Sequence, residues 1–216
     1  DHRDLHSFPT RRSSDLLGLA LGLLLLVTDP VLLQTVRYQV FDQYQRWSPR
    51  VYAPQPVRII DIDEASLQRL GQWPWPRTQV AEMVQRLHAA EVAAIGFDVL
   101  FIEPDRTSPQ ALAPLWPLAP QTRQALLQLP DHDAVLAQNL ADRHVVLGFS
   151  LQRERAARPN ERTPAVAARF VWLGGGAQPQ ALHGFDSALV ALDQLERQAA
   201  GNGALTFVPD ADGVVR

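Results

Sequence analysis

The stretch from Val57 to Phe101 constrains the fold more than any other part of this chain. A short apolar run, Val57–Ile62, is followed by a turn, an amphipathic pattern and a second apolar run, Ala93–Phe101. The amphipathic pattern starts near Arg77 and extends to about Ala90, with apolar residues at the spacing of one buried helical face. This order predicts two adjacent parallel strands joined by a right-handed crossover helix.

The remaining sequence continues this alternation. Helices are expected over 133–142 and from Asp186 to a C-cap at Gly201, and the proline-rich stretch 103–130 should be either a loop or a short helical insertion. Further strands are expected over 145–151, over 169–173 before a run of three glycines, and over 205–208. The fold class predicted is α/β, layered, with a mainly parallel central sheet and flanking helices.

An N-terminal transmembrane helix is expected to precede this domain. The uninterrupted apolar run Leu16–Val27 is shorter than the about 20 residues that span a bilayer, so a truncated transmembrane helix over residues 16–36 is favoured. A signal-peptide core lacks a cleavage site here, and the leucine density argues against a buried core helix. Aromatic and basic residues follow, as in an interfacial belt: Arg37, Tyr38, Phe41, Tyr44, Arg46 and Trp47.

The two ends of the chain differ from the rest. Residues 1–15 are polar and aperiodic, and they resemble translated adapter sequence rather than a folded element. Residues 37–56 then form a juxtamembrane linker, and residues 57–216 form a domain that we expect to be incomplete at its C-terminus, because a strand begun at Val214 stops at Arg216.

Composition excludes several functions. The chain has no cysteine, so disulfides, thiolate metal sites and a cysteine nucleophile are excluded. Its net charge is −3, and all its basic residues except histidine are arginine, which disfavours nucleic-acid binding. No serine lies in a nucleophile elbow and no histidines have metal-ligand spacing. We therefore predict no catalytic residue and no cofactor, and leave a metal open.

Acidic residues follow the two apolar runs of the opening segment. Asp61, Asp63 and Asp98 are expected at strand ends, where Glu64, Glu103 and Asp105 could join them. Such carboxylates hold Mg²⁺ or Ca²⁺, or act as acid and base. The competing interpretation is that they cap helices and turns, for example Asp63 or Glu64 opening a short helix through Ser66.

Two tryptophans, Trp73 and Trp75, are each followed by proline, and Arg77 comes directly after them. One interpretation is a rigid aromatic wall for a ligand, with Arg77 binding its carboxylate or phosphate. The other is a loop that plugs the sheet end, with Arg77 paired to Asp61, Asp63 or Asp98. The candidate ligand-binding residues are Asp63, Trp73, Trp75, Arg77 and Asp98.

Four strings give the chain a family resemblance: IDIDEAS (60–66), LGQWPWPR (70–77), GFDVLF (96–101) and PDADGVVR (209–216). Over roughly Val31–Arg216 the chain resembles type 2 of the CHASE family, the cyclases/histidine kinases associated sensory extracellular domains. The resemblance implies a sensor outside the membrane, joined to a cytoplasmic output domain such as an adenylate or guanylate cyclase, a histidine kinase, a serine/threonine kinase or a cyclic-dinucleotide enzyme. It implies no enzyme in this segment.

We therefore expect an extracytoplasmic, periplasmic sensor domain of an inner-membrane receptor. Its partners would be the membrane, an unknown small-molecule or environmental stimulus, the fused output domain and, as a candidate, a second copy in a homodimer. Two alternatives remain: a metal-dependent hydrolase or phosphatase that uses Asp61, Asp63 and Asp98, and a dimerising spacer that binds nothing.

Overall fold

The computed structural model describes residues 10–51, 53–54, 56–154, 161–165 and 183–215. The chain divides into two compact units, one of Asp1–Ile59 with Val208–Arg216 and one of Ile60–Phe207. The elements in chain order are α1 (Thr10–Thr28), α2 (Val31–Trp47), α3 (Glu64–Leu70), α4 (Arg77–Ala89), β1 (Ile95–Gly96), α5 (Pro109–Leu112), α6 (Pro120–Leu127), α7 (His132–Leu140), β2 (Val145–Gln152), β3 (Ser187–Leu189), α8 (Asp193–Glu196) and β4 (Gly201–Ala204).

Helices α1 and α2 meet at a corner formed by Asp29 and Pro30. Proline disfavours helical backbone in the residue before it, and Asp29 adopts the left-handed region with φ 38°. The Asp29 carboxylate accepts hydrogen bonds from Arg37 Nη2 at 2.5 Å and from Gln34 Nε2 at 3.2 Å, which fixes the start of α2. The single helix expected over residues 16–36 is therefore wrong, and two helices replace it.

The apolar surface of α1 is open to solvent, with Leu17 and Leu26 more than two-thirds exposed. In the described part of the chain, no helix is by itself both long enough and apolar enough to cross a membrane. The segments Asp15–Thr28 and Val31–Trp47 satisfy both requirements only when taken together, and they are bent by 80° at their break.

Among the described residues the sheet is organised around β2, which pairs with the three other strands found there. Strand β1 runs parallel to it with Ile95 opposite Val145, and β4 runs parallel with Phe149 opposite Ala204. Strand β3 is antiparallel, with Leu151 opposite Ala188. The α/β class is confirmed, and within the described residues the sheet is small and mixed, with two parallel pairs and one antiparallel pair.

The first strand predicted from the sequence is absent. Residues 57–62 form no strand, and Ile59 is 90 % exposed. A strand needs a neighbour to receive its backbone hydrogen bonds, and in the described part of the chain β1, the expected neighbour, pairs only with β2. The predicted pairing of Val57–Ile62 with Ala93–Phe101 is therefore wrong, and the second of these strands is reduced to Ile95–Gly96.

The C-terminal part of unit Ile60–Phe207 also differs from expectation. The helix expected from Asp186 to Gly201 is instead strand β3 followed by the short helix α8, and Gly201 opens β4 rather than capping a helix. The strand expected over 205–208 lies at 201–204. Pairing with β2 buries Ala188 and Leu189 and overrides the helical spacing of the sequence. The strand expected over 169–173 and the three glycines after it lie outside the described residues.

The predicted helices α4 and α7 and strand β2 are confirmed, and they build the hydrophobic core. Val80 and Val84 of α4 lie one turn apart and are buried against Leu136 and Leu140 of α7 and Leu147 of β2. Residues at i and i+4 share one helical face, so one stripe of each helix enters the core. The short helices α5 and α6 fall in the proline-rich stretch, as expected.

Gly148 of β2 provides a test of this packing. A Cβ added there would lie 2.6 Å from Leu205 Cδ1 and 2.9 Å from the carbonyl oxygen of Phe97. We expect Gly148→Ala to lower the free energy of unfolding by about 1–3 kcal/mol, because the backbone must move to admit the methyl group. Urea denaturation followed by circular dichroism measures this.

Gly203 is the matched control, because it lies directly opposite Gly148 in β4. A Cβ there would meet Val146 Cγ1 at 3.6 Å, an ordinary contact. Gly203→Ala should be neutral or stabilise by up to about 1 kcal/mol through a less flexible unfolded chain. Equal losses in the two variants would contradict the close packing at Gly148.

Candidate functional site

The most densely bonded polar cluster surrounds Arg77, the first residue of α4. Arg77 is 7 % exposed. Its Nε donates to Asp133 Oδ1 at 3.3 Å and its Nη2 donates to the carbonyl oxygen of Glu103 at 3.2 Å. The guanidinium carbon lies 4.5 Å from the centre of the Phe101 ring, a cation–π distance. The arginine is thus held on several sides by the protein itself.

Asp105 joins three segments of this cluster. Its Oδ2 accepts the backbone N–H of Arg77 at 2.7 Å, and its own N–H donates to Asp133 Oδ2 at 2.8 Å. The residue before α4, Pro76, makes no side-chain cap. Asp105 therefore satisfies a free N–H of the α4 N-terminus from 28 residues away in sequence, in the place of a local N-cap.

Hydroxyl and imidazole groups form the edge of the cluster. Thr107 donates to Asp105 Oδ1 through its backbone N–H at 2.8 Å and its hydroxyl at 2.7 Å. His132 Nδ1 lies 3.2 Å from Asp105 Oδ2 and 3.3 Å from Thr107 Oγ1. A catalytic triad needs the acid and the nucleophile on different ring nitrogens. Here both groups face the same nitrogen, so the arrangement is not a triad.

A second pair of contacts fixes the start of α7 beside the cluster. Asp131 caps the helix by accepting the N–H of Asp133 at 3.2 Å, and it also accepts the hydroxyl of Ser108 at 2.7 Å. Ser108 is 3 % exposed and accepts the N–H of His132 at 3.1 Å. These contacts place Asp133 at the α7 N-terminus opposite Arg77.

The two buried carboxylates have pKa values shifted in opposite directions. Burial raises the pKa of Asp133 above its usual value, against the N–H of Asp105 and the charge of Arg77, which lower it. Burial also acts to raise the pKa of Asp105, but hydrogen bonds from the N–H of Arg77 and from Thr107 outweigh it, so the pKa of Asp105 is lowered. Asp105 is therefore the acid that the fold stabilises in its ionised form.

The lowered pKa of Asp105 gives a pH-dependent prediction. A carboxylate with a lower pKa in the folded state stabilises the fold above its unfolded pKa, near 3.8, and loses that contribution as pH falls through the folded pKa. Asp105→Asn should therefore destabilise by about 1–3 kcal/mol at pH 6, with a smaller difference from wild type at pH 3. The pKa of Asp133 is raised in the folded state, so its contribution to the pH dependence of stability has the opposite sign. Asp133 is present in both the variant and the wild type.

Denaturant titrations from pH 3 to pH 7 measure that difference. The control is Asp61→Asn, because Asp61 is exposed and makes no hydrogen bond or ion pair within the described residues; the change should alter the stability at pH 6 by less than about 0.5 kcal/mol. A loss for Asp105→Asn that stays constant across this range would show that its charge is not what stabilises the fold.

Asp63, Trp73 and Trp75 make local contacts. Asp63 is the N-cap of α3, accepting the Ser66 hydroxyl at 2.6 Å and the Ser66 N–H at 2.8 Å, and these bonds lower its pKa. The Trp73 and Trp75 rings meet edge to face with centres 5.5 Å apart, and Trp75 Nε1 donates to the carbonyl of Gly71 at 2.7 Å. Both tryptophans are half-buried. The capping interpretation of Asp63 is confirmed.

Asp61 and Asp98 are exposed, and neither has a hydrogen bond or ion pair within the described residues. No recorded contact in that part of the chain joins Asp63, Asp98 and the tryptophans to one another. Arg77 pairs with Asp133 rather than with Asp61, Asp63 or Asp98, so that pairing prediction is wrong. Across the described residues, no three histidine, aspartate or glutamate side chains come close enough to hold a metal ion.

The sequence did not single out Asp133 and His132 for this cluster. Asp133 is only the first residue of the helix predicted over 133–142, and its pairing with Arg77 spans 56 residues. Asp105 was included among the carboxylates that could gather near the site, and the structure does bring it to Arg77. A short-range spacing could not reveal the rest, because the cluster is drawn from three separate segments of the chain, at Arg77, at residues 101–108 and at residues 131–133.

A third buried acid, Glu196 of α8, organises another part of the unit. Its Oε2 pairs with Arg162, and its Oε1 accepts from Asn202 Nδ2 at 2.8 Å and from the N–H of Ala165 at 2.9 Å. Arg162 also pairs with Asp193 at 2.6 Å. These bonds attach the described residues 161–165 to α8 and β4.

Comparison with known proteins assigns the family. A family model described as the CHASE2 domain matches residues 16–216. The chain belongs to the CHASE2 family. CHASE2 domains are sensory extracellular domains, which confirms the resemblance drawn from the motifs. No curated protein and no solved structure matches the chain.

Proposed function

We propose that this CHASE2 chain is the signal-input part of a membrane-bound bacterial receptor, with its globular unit in the periplasm. The observation that carries the proposal is the family match over residues 16–216. The receptor would detect a stimulus outside the membrane and pass a shift between two conformations to a cytoplasmic cyclase or kinase. The segment itself would turn over no substrate.

The exposed leucines of α1 support membrane attachment. Leu19, Leu23 and Leu26 remain more than half exposed although they are strongly apolar. An apolar helix surface of this kind is favourable only in lipid or against another protein. We therefore propose that α1 inserts in the membrane and that the corner at Asp29 and Pro30 marks the exit of the chain from it.

We propose that the stimulus contacts Trp73, Trp75, Asp63 and Asp98, and that Arg77 acts indirectly. The half-buried edge-to-face indoles offer a fixed aromatic surface. The Asp98 carboxylate is exposed and has no recorded partner in the described residues. Arg77 is buried in its own ion pair, so it would transmit strain from the tryptophan loop to α7 rather than touch a ligand.

The location is tested with the full receptor in intact cells. Because the chain has no cysteine, Glu91→Cys introduces the only thiol of this segment at an exposed turn. A membrane-impermeant maleimide should label it in spheroplasts without lysis. Labelling only after lysis would place the unit in the cytoplasm and overturn the periplasmic assignment.

The sensory role is tested by the output of the same receptor. Asp98→Ala should change cyclase or kinase activity without changing the melting temperature of the domain. Trp75→Ala should change that activity too, but it should also lower the melting temperature, because the hydrogen bond to Gly71 and the ring contact with Trp73 are lost.

Trp116→Ala is the control, because Trp116 is an exposed tryptophan in the connection between α5 and α6. This change should leave the cyclase or kinase activity unchanged. Hydrolysis of p-nitrophenyl phosphate by the purified chain with Mg²⁺, abolished by Asp63→Asn, would favour the hydrolase instead.

A further inference from the structure

The two sides of helix α2 are exposed in the opposite sense to those of a helix in a soluble protein. Gln34, Tyr38 and Asp42 each carry a polar group and form a half-buried stripe, because residues four apart share one helical face. No residue of α2 is buried, and its apolar side chains on the other side are exposed. In a soluble protein the apolar side faces the core. This side of α2 therefore needs apolar surroundings from outside the chain.

The exposed apolar face of α2 is broad. At about 100° per residue, every apolar residue of the helix after Val31 falls within an arc of about 180°. This face consists of Leu32, Leu33, Val36, Val40, Phe41, Tyr44 and Trp47, which are between 38 % and 79 % exposed. Helix pairing needs only a narrow seam, whereas a helix in a membrane surface buries a broad face that contains Trp, Phe and Leu. The width and composition of the face favour lipid.

The corner at Asp29 and Pro30 sets the direction of α2 relative to α1. The two helices are bent by 80° at this break. If α1 inserts along the bilayer normal, α2 lies within about 10° of the membrane plane, and an α1 tilt of about 20°, the mean for transmembrane helices, keeps it within about 30°. This step rests on the insertion of α1 proposed above.

The charged residues of α2 are compatible with that orientation. Arg37 falls within the apolar arc, but its Nη2 lies 2.5 Å from the Asp29 carboxylate at the corner, so its charge is compensated. Asp42 and Arg46 lie on the opposite side of the helix. Two arginines and one aspartate give α2 a net charge of +1. Apolar contact, rather than attraction to anionic lipid, should therefore hold the helix on the membrane.

The segment around Asp210 stands at the flank of the apolar face. Asp210 lines an open groove together with Tyr38, Phe41 and Tyr44. Phe41 and Tyr44 remain exposed beside it, and so do Leu32 and Trp47 near the two ends of the helix. The face is therefore open along the whole of α2.

We propose that α2 is an in-plane membrane helix, which lies on the lipid surface with its apolar face toward the acyl chains. Helices of this kind sink about 5–10 Å into the boundary between headgroups and acyl chains. A piston movement of α1 would then lift the apolar face of α2 into water, at the cost of its hydrophobic contact. Residues 31–47 thus form a lipid-bound element rather than a linker.

Spin labelling of the full chain in phosphatidylcholine vesicles tests the orientation, and the chain has no cysteine to compete for the label. Labels at Leu33→Cys, Val40→Cys and Trp47→Cys share one side of α2, and the first and last are about 21 Å apart along the helix. Relaxation by oxygen, which concentrates in lipid, and by a water-soluble nickel chelate gives the depth of each label. The three depths should differ by less than about 10 Å, against about 21 Å for a helix along the bilayer normal. The label at Gln45→Cys, on the opposite side, should be open to nickel.

Leu23→Cys reports the insertion of α1 separately. A deep label at Leu23 with nickel-accessible labels at all α2 positions would overturn the in-plane helix and leave the insertion of α1 intact. A nickel-accessible label at Leu23 with the apolar α2 positions in lipid would overturn the insertion of α1 alone, and water exposure of both helices would overturn both. Labels on the apolar face that are shielded from oxygen and nickel alike, with broadening that unlabelled protein removes, would put a second copy there instead of lipid.

A charge placed on either side of α2 gives an independent measurement. In the chain labelled at Trp47→Cys, Val40→Glu should raise relaxation by nickel several-fold, because the carboxylate draws the apolar face toward water. Gln45→Glu adds the same charge on the opposite side and should leave the relaxation unchanged. Equal changes in the two variants would contradict a lipid-facing side at Val40.

Discussion

Arg77→Ala should lower the free energy of unfolding by about 3–5 kcal/mol, the usual effect of removing one partner of a buried ion pair. The side chains of Arg77 and Asp133 are 9 % and 3 % exposed, so the Asp133 carboxylate left behind would be buried without its counter-charge. The variant also loses the bond to the Glu103 carbonyl and the contact with the Phe101 ring. Chemical denaturation of the chain in detergent, at neutral pH, measures the loss.

Arg86→Ala on the same helix is the matched control. Arg86 pairs with Glu82 one turn away at 2.6 Å, but both side chains are more than half exposed. Exposed pairs of this spacing contribute about 0.3–0.5 kcal/mol. If the two variants lose similar amounts of stability, the cluster around Arg77 does not hold the fold. If Arg77→Ala keeps the wild-type stability but the receptor loses its output, Arg77 contacts the ligand directly.

Phe101→Ala should lower the free energy of unfolding by a similar amount, about 3–5 kcal/mol. Phe101 has no exposed surface and lies in the core. Its ring meets Phe97 edge to face at 5.3 Å and supports the guanidinium of Arg77 on its face. Its carbonyl oxygen accepts the N–H of Leu192, which joins the core to the segment before α8.

Phe207→Ala is the control for Phe101→Ala, because Phe207 is 75 % exposed. Its removal should change stability by less than about 0.5 kcal/mol. Thermal and urea melts of both variants give the comparison. The double variant of Phe101→Ala with Arg77→Ala should lose less than the sum of the single losses, since the two side chains contact each other. Strict additivity would contradict that coupling.

The sequence predicted the elements whose signals are local. Helices α4 and α7 have apolar residues at helical spacing, and β2 is a continuous apolar run between turn signals, so their positions were predicted closely. The turn at Asp212 and Gly213 is equally local, because the Gly213 N–H donates to the Asp210 carbonyl at 2.8 Å. In each of these cases the residues that decide the structure are neighbours in the chain.

The sequence misled where a distant partner decides the structure. Residues 57–62 have strand-like composition, but no partner receives their backbone groups. Residues 188–199 have helical spacing, yet β3 forms there because β2 offers Leu151 opposite Ala188. The candidate site also depends on a distant partner. The sequence predicts that Arg77 pairs with a carboxylate, but that carboxylate belongs to Asp133 of α7, and no local pattern identifies Asp133 as the partner.

Strand β2 pairs with all three other strands, and this has a consequence for local opening. Its Val146 lies opposite Gly96 on one strand and Gly201 on another. Fraying of β1, β3 or β4 separates one edge and leaves β2 bonded elsewhere. Deuterium should therefore enter the amides of the three outer strands through small, independent fluctuations. The β2 amides should exchange only when most of the unit opens together, so their protection reports the global stability of the unit.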